Sequence, residues 1–225
     1  MKLKSFLFTM GVIAFSQSLI AQKYIRSQFT LFSYDYDINE KIMIELSPLE
    51  SYINYKPEKD QKKIEAMIIH TTYAMVIKCM EDSLGTFFLP VNTFTNKVKY
   101  DAYNYPNMSI QKAIKLGDTK YYIRINLLIE NDQFDNQGNK ITTDIFKPKV
   151  TLSLQIYNSF GFEPIETVEG ISNSVQPVKI SPEFLAGMNY IDNSIQKKNN
   201  IETLYNIINR AVLGAVIQAK YKKHK

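Results

Sequence analysis

The 225-residue sequence contains no tryptophan, a single cysteine and only two histidines. Cys79 alone cannot form an intramolecular disulfide. The usual zinc ligand sets are missing, because there is no second cysteine and no His-x-x-x-His pair. Also absent are a Gly-x-Ser-x-Gly motif, a Walker loop and a dinucleotide-binding fingerprint. We therefore predict no metal, no cofactor and no catalytic residue, and the chain is more typical of a binding protein than of an enzyme.

The two candidate groups for nucleophilic chemistry, His70 and Cys79, are nine residues apart on a predicted helix. That spacing puts them on opposite sides of the helix and about 13 Å apart along its axis, so they cannot form a thiolate–imidazole pair. We expect His70 to be a hydrogen-bonded core histidine. Cys79 is expected to be a small buried hydrophobe.

Long hydrophobic runs are also missing after the first residues. Lys2 and Lys4 precede an apolar run at 6–15, which is too short to span a bilayer, and small residues surround a cleavage site after Ala21. This order predicts a cleaved signal peptide over 1–21 and a periplasmic or secreted protein without a transmembrane segment. No cysteine follows the run, so no lipid anchor is expected.

After signal removal, residues 22–225 are predicted to form a single domain with a short basic tail. The formal charge is +5. Without Lys2, Lys4 and the four lysines among the last six residues, 21 basic residues face 22 acidic ones. The body is therefore neutral, which argues against nucleic-acid binding. The tail could contact anionic lipid or glycan, but we favour a simple compensation of the last helix's C-terminal dipole.

Two segments between residues 121 and 157 alternate strictly between apolar and polar side chains. The apolar positions are Ile123, Ile125, Leu127 and Ile129 in the first segment and Val150, Leu152, Leu154 and Ile156 in the second. A period of two with one apolar face is typical of a half-buried antiparallel sheet. Residues 162–170 are predicted to add a third strand to this meander.

Two amphipathic stretches, 57–84 and 201–221, are predicted helices that pack on the apolar face of the sheet. Asn200 is the expected N-cap of the second. A short helix at 109–117 is predicted between the long helix and the meander, with Ser109 as its cap. Together with the strands, these helices predict an α/β (α+β) fold.

The first half of the chain is predicted to contribute a βαβ unit to a mixed sheet, with strands at 41–46 and 86–94 flanking the first long helix. Residues 23–40 are rich in aromatic and β-favouring residues and are predicted to form an edge strand or a strapping segment. Asp35 and Asp37 share one side of that stretch. We interpret them as solvent-facing edge charges rather than as a catalytic or metal-binding pair.

This order of elements, with a short helix that ends at Gly117-Asp118, is similar to a known periplasmic α/β domain. The domain is shared by the curli secretion channel, the amino-terminal part of the Tol-Pal translocation protein and outer-membrane activators of peptidoglycan synthases. Residues 113–130, 149–170 and the last helix carry the likeness. Members typically have an alanine between the glycine and the aspartate, which is missing here. The signal ending in Ala-Gln also resembles those of Bacteroidetes-type bacteria.

The resemblance implies an adaptor or scaffold that binds an envelope protein or a cell-wall glycan, rather than a catalyst. The insert at 131–148 is too short for two membrane-spanning strands, so a secretion pore is not expected. Candidate partner-binding residues lie on the polar sheet face and in a tyrosine-rich loop: Arg124, Asn126, Ser153, Gln155, Tyr100, Tyr103 and Tyr105.

A second interpretation is a carboxylate-dependent hydrolase or glycan-binding protein. It requires a cleft lined by Asp35, Asp37 and Tyr103, in which tyrosines stack on sugar rings. The same tyrosines could instead cover an edge of the core with their hydroxyls in water. The sequence leaves these alternatives open.

Overall fold

A five-stranded mixed sheet forms the centre of the computed structural model. The structure describes residues 23–46, 63–132, 146–185, 187–188 and 202–222. The predicted signal peptide, the start of the first long helix at 57–62 and the cap at Asn200 lie outside these ranges.

The sheet has the strand order β2-β1-β3-β4-β5. Strand β1 is parallel to both of its neighbours, whereas β3, β4 and β5 form an antiparallel meander. This arrangement confirms the predicted mixed sheet and its three-strand meander. The strands are β1 (Gln28–Ile38), β2 (Phe87–Phe88), β3 (Tyr121–Asn131), β4 (Pro148–Asn158) and β5 (Glu166–Asn173).

Two long helices cover one face of the sheet, as their apolar stripes predict. Their buried residues join the inward-facing residues of β3 and β4 in the main hydrophobic core. Thr203 caps the last helix by accepting a hydrogen bond from the Asn206 backbone N–H at 3.2 Å. The described helices are α1 (Glu40–Leu46), α2 (Lys63–Leu84), α3 (Ile110–Leu116) and α4 (Leu204–Tyr221).

A smaller core lies on the opposite face of the sheet, at the end where β3 begins. Short helix α3 packs there, with Ser109 as its N-cap as predicted. The members of this second core are Phe32, Phe94, Met108, Ile110, Ala113, Tyr122 and Tyr157. Only part of this face is therefore covered by α3, and the polar residues further along the strands remain partly exposed.

The prediction of an edge strand at 23–40 is wrong for the start of β1. Gln28 and Phe29 pair with β2 on one side while β1 pairs with β3 on the other, and the side chains of residues 29–34 are buried. A bulge at Phe32 shifts the register, so Phe32 faces the second core while Tyr34 and Tyr36 return to the main core.

Residues 41–46 form helix α1 rather than a strand. Asn39 stabilises its first turn, because its side-chain oxygen accepts a hydrogen bond from the Lys41 N–H at 3.0 Å. Lys41 and Glu45 form an i,i+4 ion pair at 3.7 Å. The βαβ unit consequently starts with β1 and runs through α2 to β2.

The two remaining strand predictions are corrected in length. Of the predicted strand at 86–94, only Phe87–Phe88 pairs with β1. Pro90, which lacks an N–H, is followed by a 3-10 turn at Val91–Phe94. The third meander strand begins at Glu166 rather than at 162, and it extends to Asn173.

Side chains of α4 cover part of the outer backbone edge of β5. Lys222 Nζ donates to the Thr167 carbonyl at 2.6 Å, and Arg210 Nη2 donates to the Asn173 carbonyl at 3.3 Å. Between them, the Glu169 N–H donates to Gln218 Oε1 at 3.3 Å. These bonds use backbone groups that another strand would need, which protects the edge against unwanted pairing.

Gly170 allows α4 to lie directly on β5. A Cβ atom at this position would sit 1.8 Å from the Ala211 carbonyl oxygen and 2.6 Å from the Ala215 nitrogen. Both are backbone atoms of α4, so no rotamer change could relieve the clash. The helix has Gly214 at this point. A Cβ atom at position 214 would lie 3.5 Å from the Gly170 Cα.

We predict that Gly170→Ala destabilises the protein by about 3 kcal/mol or more, because the helix must move away from the sheet. Urea unfolding followed by circular dichroism measures this change. Gly161→Ala is the matched control, since the nearest atom to its new Cβ is 3.8 Å away. Equal stability of the two variants would contradict the close-packing account.

Candidate functional site

The four predicted residues of the polar sheet face lie together in the structure. Arg124 is directly opposite Gln155, and Asn126 is directly opposite Ser153, in adjacent registers of β3 and β4. All four are partly exposed, while their sequence neighbours Ile123, Ile125, Leu152, Leu154 and Ile156 are buried on the other side. We call these four residues the polar sheet face.

Arg124 is held in place on this face by two contacts. Its guanidinium carbon lies 5.4 Å from the centre of the Phe32 ring, and its Nε lies 3.7 Å from Asp35 Oδ2. Ser33 also donates a hydrogen bond to Asp35 Oδ2 at 3.2 Å, which fixes the carboxylate. The buried Nε of Arg124 has no hydrogen-bond partner among the described residues, and the side chain as a whole is 34% exposed.

Gln155 is oriented in a similar way by its neighbour on the same strand. The Tyr157 hydroxyl donates to Gln155 Oε1 at 3.0 Å, and the Tyr157 ring packs in the second core. The amide nitrogen of Gln155 therefore points away from Tyr157 and carries two N–H donors. The polar sheet face thus combines a fixed cation with fixed amide donors, an arrangement suited to binding carboxylate, carbonyl or hydroxyl oxygens.

Two of the three predicted tyrosines in the tyrosine-rich loop, 95–107, are buried. Tyr103 and Tyr105 are 6% and 3% exposed and pack in the main core against Tyr36, Tyr34 and Tyr73. These two rings are core residues, in agreement with the alternative that the tyrosines cover an edge of the core. Because both rings are buried, neither is free to bind a partner as the sequence analysis predicted.

Asp101 fixes this loop over the aromatic cluster. Its Oδ1 accepts hydrogen bonds from the backbone N–H groups of Tyr103 at 2.9 Å and Tyr105 at 2.8 Å. Its Oδ2 accepts one from the Tyr36 hydroxyl at 3.2 Å. Burial raises the pKa of Tyr36 above its ordinary value, so this hydroxyl stays protonated and serves as a donor.

His70 belongs to the same aromatic cluster, where its Nδ1 lies 2.8 Å from the Tyr105 hydroxyl. This hydrogen bond agrees with the predicted role as a core histidine. Cys79 is half-buried with its Sγ 3.9 Å from Ser83 Oγ, and burial raises the pKa of its thiol. A protonated thiol is a poor nucleophile, so this cysteine is suited to packing rather than to catalysis.

The structure separates the three residues required by the carboxylate-cleft interpretation. Asp35 lies on the polar side of the sheet next to Arg124, and Asp37 follows it two residues later. Tyr103 packs on Tyr36 in the main core, behind the sheet. They cannot line one cleft. Among the described residues, no group of three His, Cys, Asp or Glu side chains is placed to hold a metal ion.

An open cavity of about 610 Å³ lies elsewhere, where the 3-10 turn meets the tyrosine-rich loop. Tyr100 forms a wall, fixed because its hydroxyl donates to the Val91 carbonyl and accepts from the Phe94 N–H, each at 3.2 Å. The described lining residues are uncharged: Val91, Asn92, Thr95, Asn96, Val98, Tyr100 and Asn104. Sequence reasoning found Tyr100 but missed the asparagines.

Two of these asparagines have left-handed backbones, with φ of 67° at Asn96 and 65° at Asn104. Asparagine tolerates this region better than most residues, which explains its presence in the two turns. The side-chain amides of Asn92, Asn96 and Asn104 form no hydrogen bond with any described residue. They can therefore donate to, and accept from, a ligand in the cavity.

Comparisons with known proteins do not assign a family. No protein-family model matches the chain, and no curated protein matches it. A hypothetical protein from Chlamydia trachomatis is similar in structure, with 8% identity, coverage of 87% of this chain and 97% of that chain, and a TM-score of 0.44.

Two other solved structures are similar at the same level. The PelC dodecamer protein from Paraburkholderia phytofirmans is 6% identical, with 90% and 93% of the two chains covered and a TM-score of 0.37. A DUF330 protein from Xanthomonas campestris is 11% identical, with 90% and 83% covered and a TM-score of 0.34. No functional argument follows from similarities this distant.

The environment of His70 generates a pH prediction. Burial lowers the pKa of His70 below its ordinary value of 6.5, although Asp101 acts in the opposite direction. Below pH 6.5 the unfolded state therefore binds a proton at His70 more readily than the folded state does. The contribution of neutral His70 to the free energy of unfolding should be complete above pH 6.5 and should be lost as the pH falls toward the pKa of the folded state. We predict a smaller loss of stability between about pH 7 and pH 5 for His70→Gln than for the wild type.

Urea unfolding at the two pH values measures this difference. His224→Gln, which changes the only other histidine, is the control and should retain the wild-type pH dependence. An unchanged pH dependence in His70→Gln would show that His70 titrates normally in the fold.

Proposed function

We propose that this protein is a non-catalytic adaptor or assembly component that binds an envelope partner through the polar sheet face. The observation that carries the proposal is the Arg124 guanidinium, which Phe32 and Asp35 hold in place in a partly exposed position and whose Nε has no hydrogen-bond partner among the described residues. Arginine is one of the residue types, with tryptophan and tyrosine, that are enriched at the energetic centre of protein interfaces.

The location proposed for this function is the periplasm or the exterior of a bacterial cell. The amino-terminal order of lysines, apolar run and small residues supports export. None of the described helices is long and apolar enough to cross a membrane. The resemblance to the periplasmic domain of the curli channel and the Tol-Pal translocation protein stays a prediction that would fit this role.

The direct experiment is crosslinking in intact native cells, followed by affinity purification of a carboxy-terminally tagged protein and mass spectrometry. We predict that the recovered protein begins at Gln22 and brings a stoichiometric envelope protein with it. The double variant R124A/Q155A should reduce recovery of that partner about tenfold, the effect expected for loss of an interface hot spot.

The matched control is K78A/D82A, which changes exposed polar residues on the outer surface of α2. It should leave recovery of the partner unchanged, and both variants should unfold at the wild-type temperature. Recovery of the protein alone, or equal recovery of the partner with R124A/Q155A, would overturn the proposal.

A second candidate function, glycan binding, is supported by the cavity beside Tyr100. Its volume is within the ordinary range for ligand sites, and its amides and single aromatic wall match the hydroxyls and apolar face of a neutral sugar. None of the described lining residues is a carboxylate, so the cavity supports binding rather than hydrolysis.

Sedimentation with purified peptidoglycan tests this second function. The variant N96G/N104G removes two amides without backbone strain, because glycine accepts a positive φ, and it should reduce the bound fraction at least fivefold. Arg26→Gly is the control, since Arg26 also has a positive φ but lies outside the cavity. Equal sedimentation of the wild type and N96G/N104G would remove the cavity from consideration.

A further inference from the structure

The hairpin between β4 and β5 exposes two phenylalanines to water. Phe160 is 89% exposed and Phe162 is 58% exposed, on either side of Gly161. Phenylalanine is normally among the most buried residue types, and neither ring belongs to one of the two cores. Two such rings at the tip of one hairpin are therefore not explained by the packing of the fold.

Other exposed apolar residues lie at the same end of the molecule, where β1, β2 and β3 begin. Ile25 and Phe87, next to the start of β1, are 51% and 56% exposed, and Tyr221 at the end of α4 is 62% exposed. We call this end the aromatic end. It includes the Phe160–Phe162 hairpin, because β4 pairs with the beginning of β3 at Asn158.

Hydrogen bonds tie these segments into one surface. The Ser159 N–H donates to the Lys120 carbonyl at 3.1 Å, which fixes the hairpin against the start of β3. Lys222 Nζ donates to the Thr167 carbonyl at 2.6 Å, which places the end of α4 beside β5. Lys23 Nζ reaches the buried Glu166 carboxylate at 2.6 Å, so the segment before β1 crosses this end toward β5.

The polar residues around the exposed rings carry charges of both signs, and the basic ones include residues next to the hairpin and at the end of α4. Arg26, Lys120 and Lys222 are exposed and Lys220 is partly exposed, whereas Lys23 is neutralised by Glu166. The acidic residues are Glu163 in the hairpin, Asp118 before β3, and Glu81 and Asp82 at the end of α2, where Glu81 Oε1 accepts a hydrogen bond from the Phe88 N–H at 3.3 Å. Beyond Lys222 the sequence continues with two more lysines. A helix C-terminus alone accounts for the cations of α4 but not for the two phenylalanines.

We propose that the aromatic end docks on an anionic lipid bilayer, with Phe160 and Phe162 inserted among the headgroups and the lysines paired with lipid phosphates. Exposed aromatic side chains next to lysines are the combination that holds peripheral proteins at a membrane surface. In this orientation the strands point away from the bilayer, so the polar sheet face stays accessible to a partner at the same time.

Flotation with lipid vesicles tests the proposal on the mature chain. Vesicles of phosphatidylethanolamine and phosphatidylglycerol should carry the wild-type protein upward at about 0.1 M salt, whereas phosphatidylcholine vesicles should carry much less. The variant F160S/F162S should lower the partition coefficient at least about tenfold for each ring lost from the bilayer. K120S/K220S/K222S should weaken binding and reduce its salt dependence.

The matched control is I44S/V175S, which removes two comparably exposed apolar side chains, 70% and 74% exposed, at the opposite end of the sheet. It should float like the wild type. The proposal is overturned if the wild type stays with neither kind of vesicle, or if F160S/F162S floats like the wild type. Equal binding to phosphatidylcholine would overturn the role of the lysines.

Discussion

The burial of one sheet face beneath α2 and α4 is the constraint on which the rest of the structure depends. The alternating apolar residues of β3 and β4 supply that face, and Gly170 lets α4 approach close enough to cover β5 as well. Both long helices lie on one side, and on the other side the polar residues of β3 and β4 beyond α3 stay partly exposed. The polar sheet face is therefore a direct consequence of how the core is built.

The parts of the fold that could be predicted are those with long, regular patterns. Strict alternation over 123–129 and 150–156 gave β3 and β4 correctly, and the broad stripes of the two long helices gave their common face. The prediction of a strand at 41–46 was wrong, because the spacing of Ile42 and Ile44 in so short a segment does not distinguish a strand from a helix. The hydrogen bond from the Lys41 N–H to the Asn39 side chain stabilises the helix.

The candidate surfaces were predicted with less success, for physical reasons that differ between them. The polar sheet face follows from periodicity, because β3 and β4 pair in register. Tyr103 and Tyr105 could not be assigned to the core from sequence, since that depends on Asp101 folding the loop onto Tyr36. The bulge at Phe32 was detectable in principle, because Phe29 and Leu31 alternate out of phase with Tyr34 and Tyr36.

We propose that partners bind the polar sheet face rather than the helical side. Site-specific photo-crosslinking in living cells tests it most directly, with the photoreactive residue placed either at Asn126 on the polar sheet face or at exposed Ala74 on α2. The account predicts a discrete crosslinked product from position 126 and none from position 74. A product from position 74 alone, or from neither position, would contradict it.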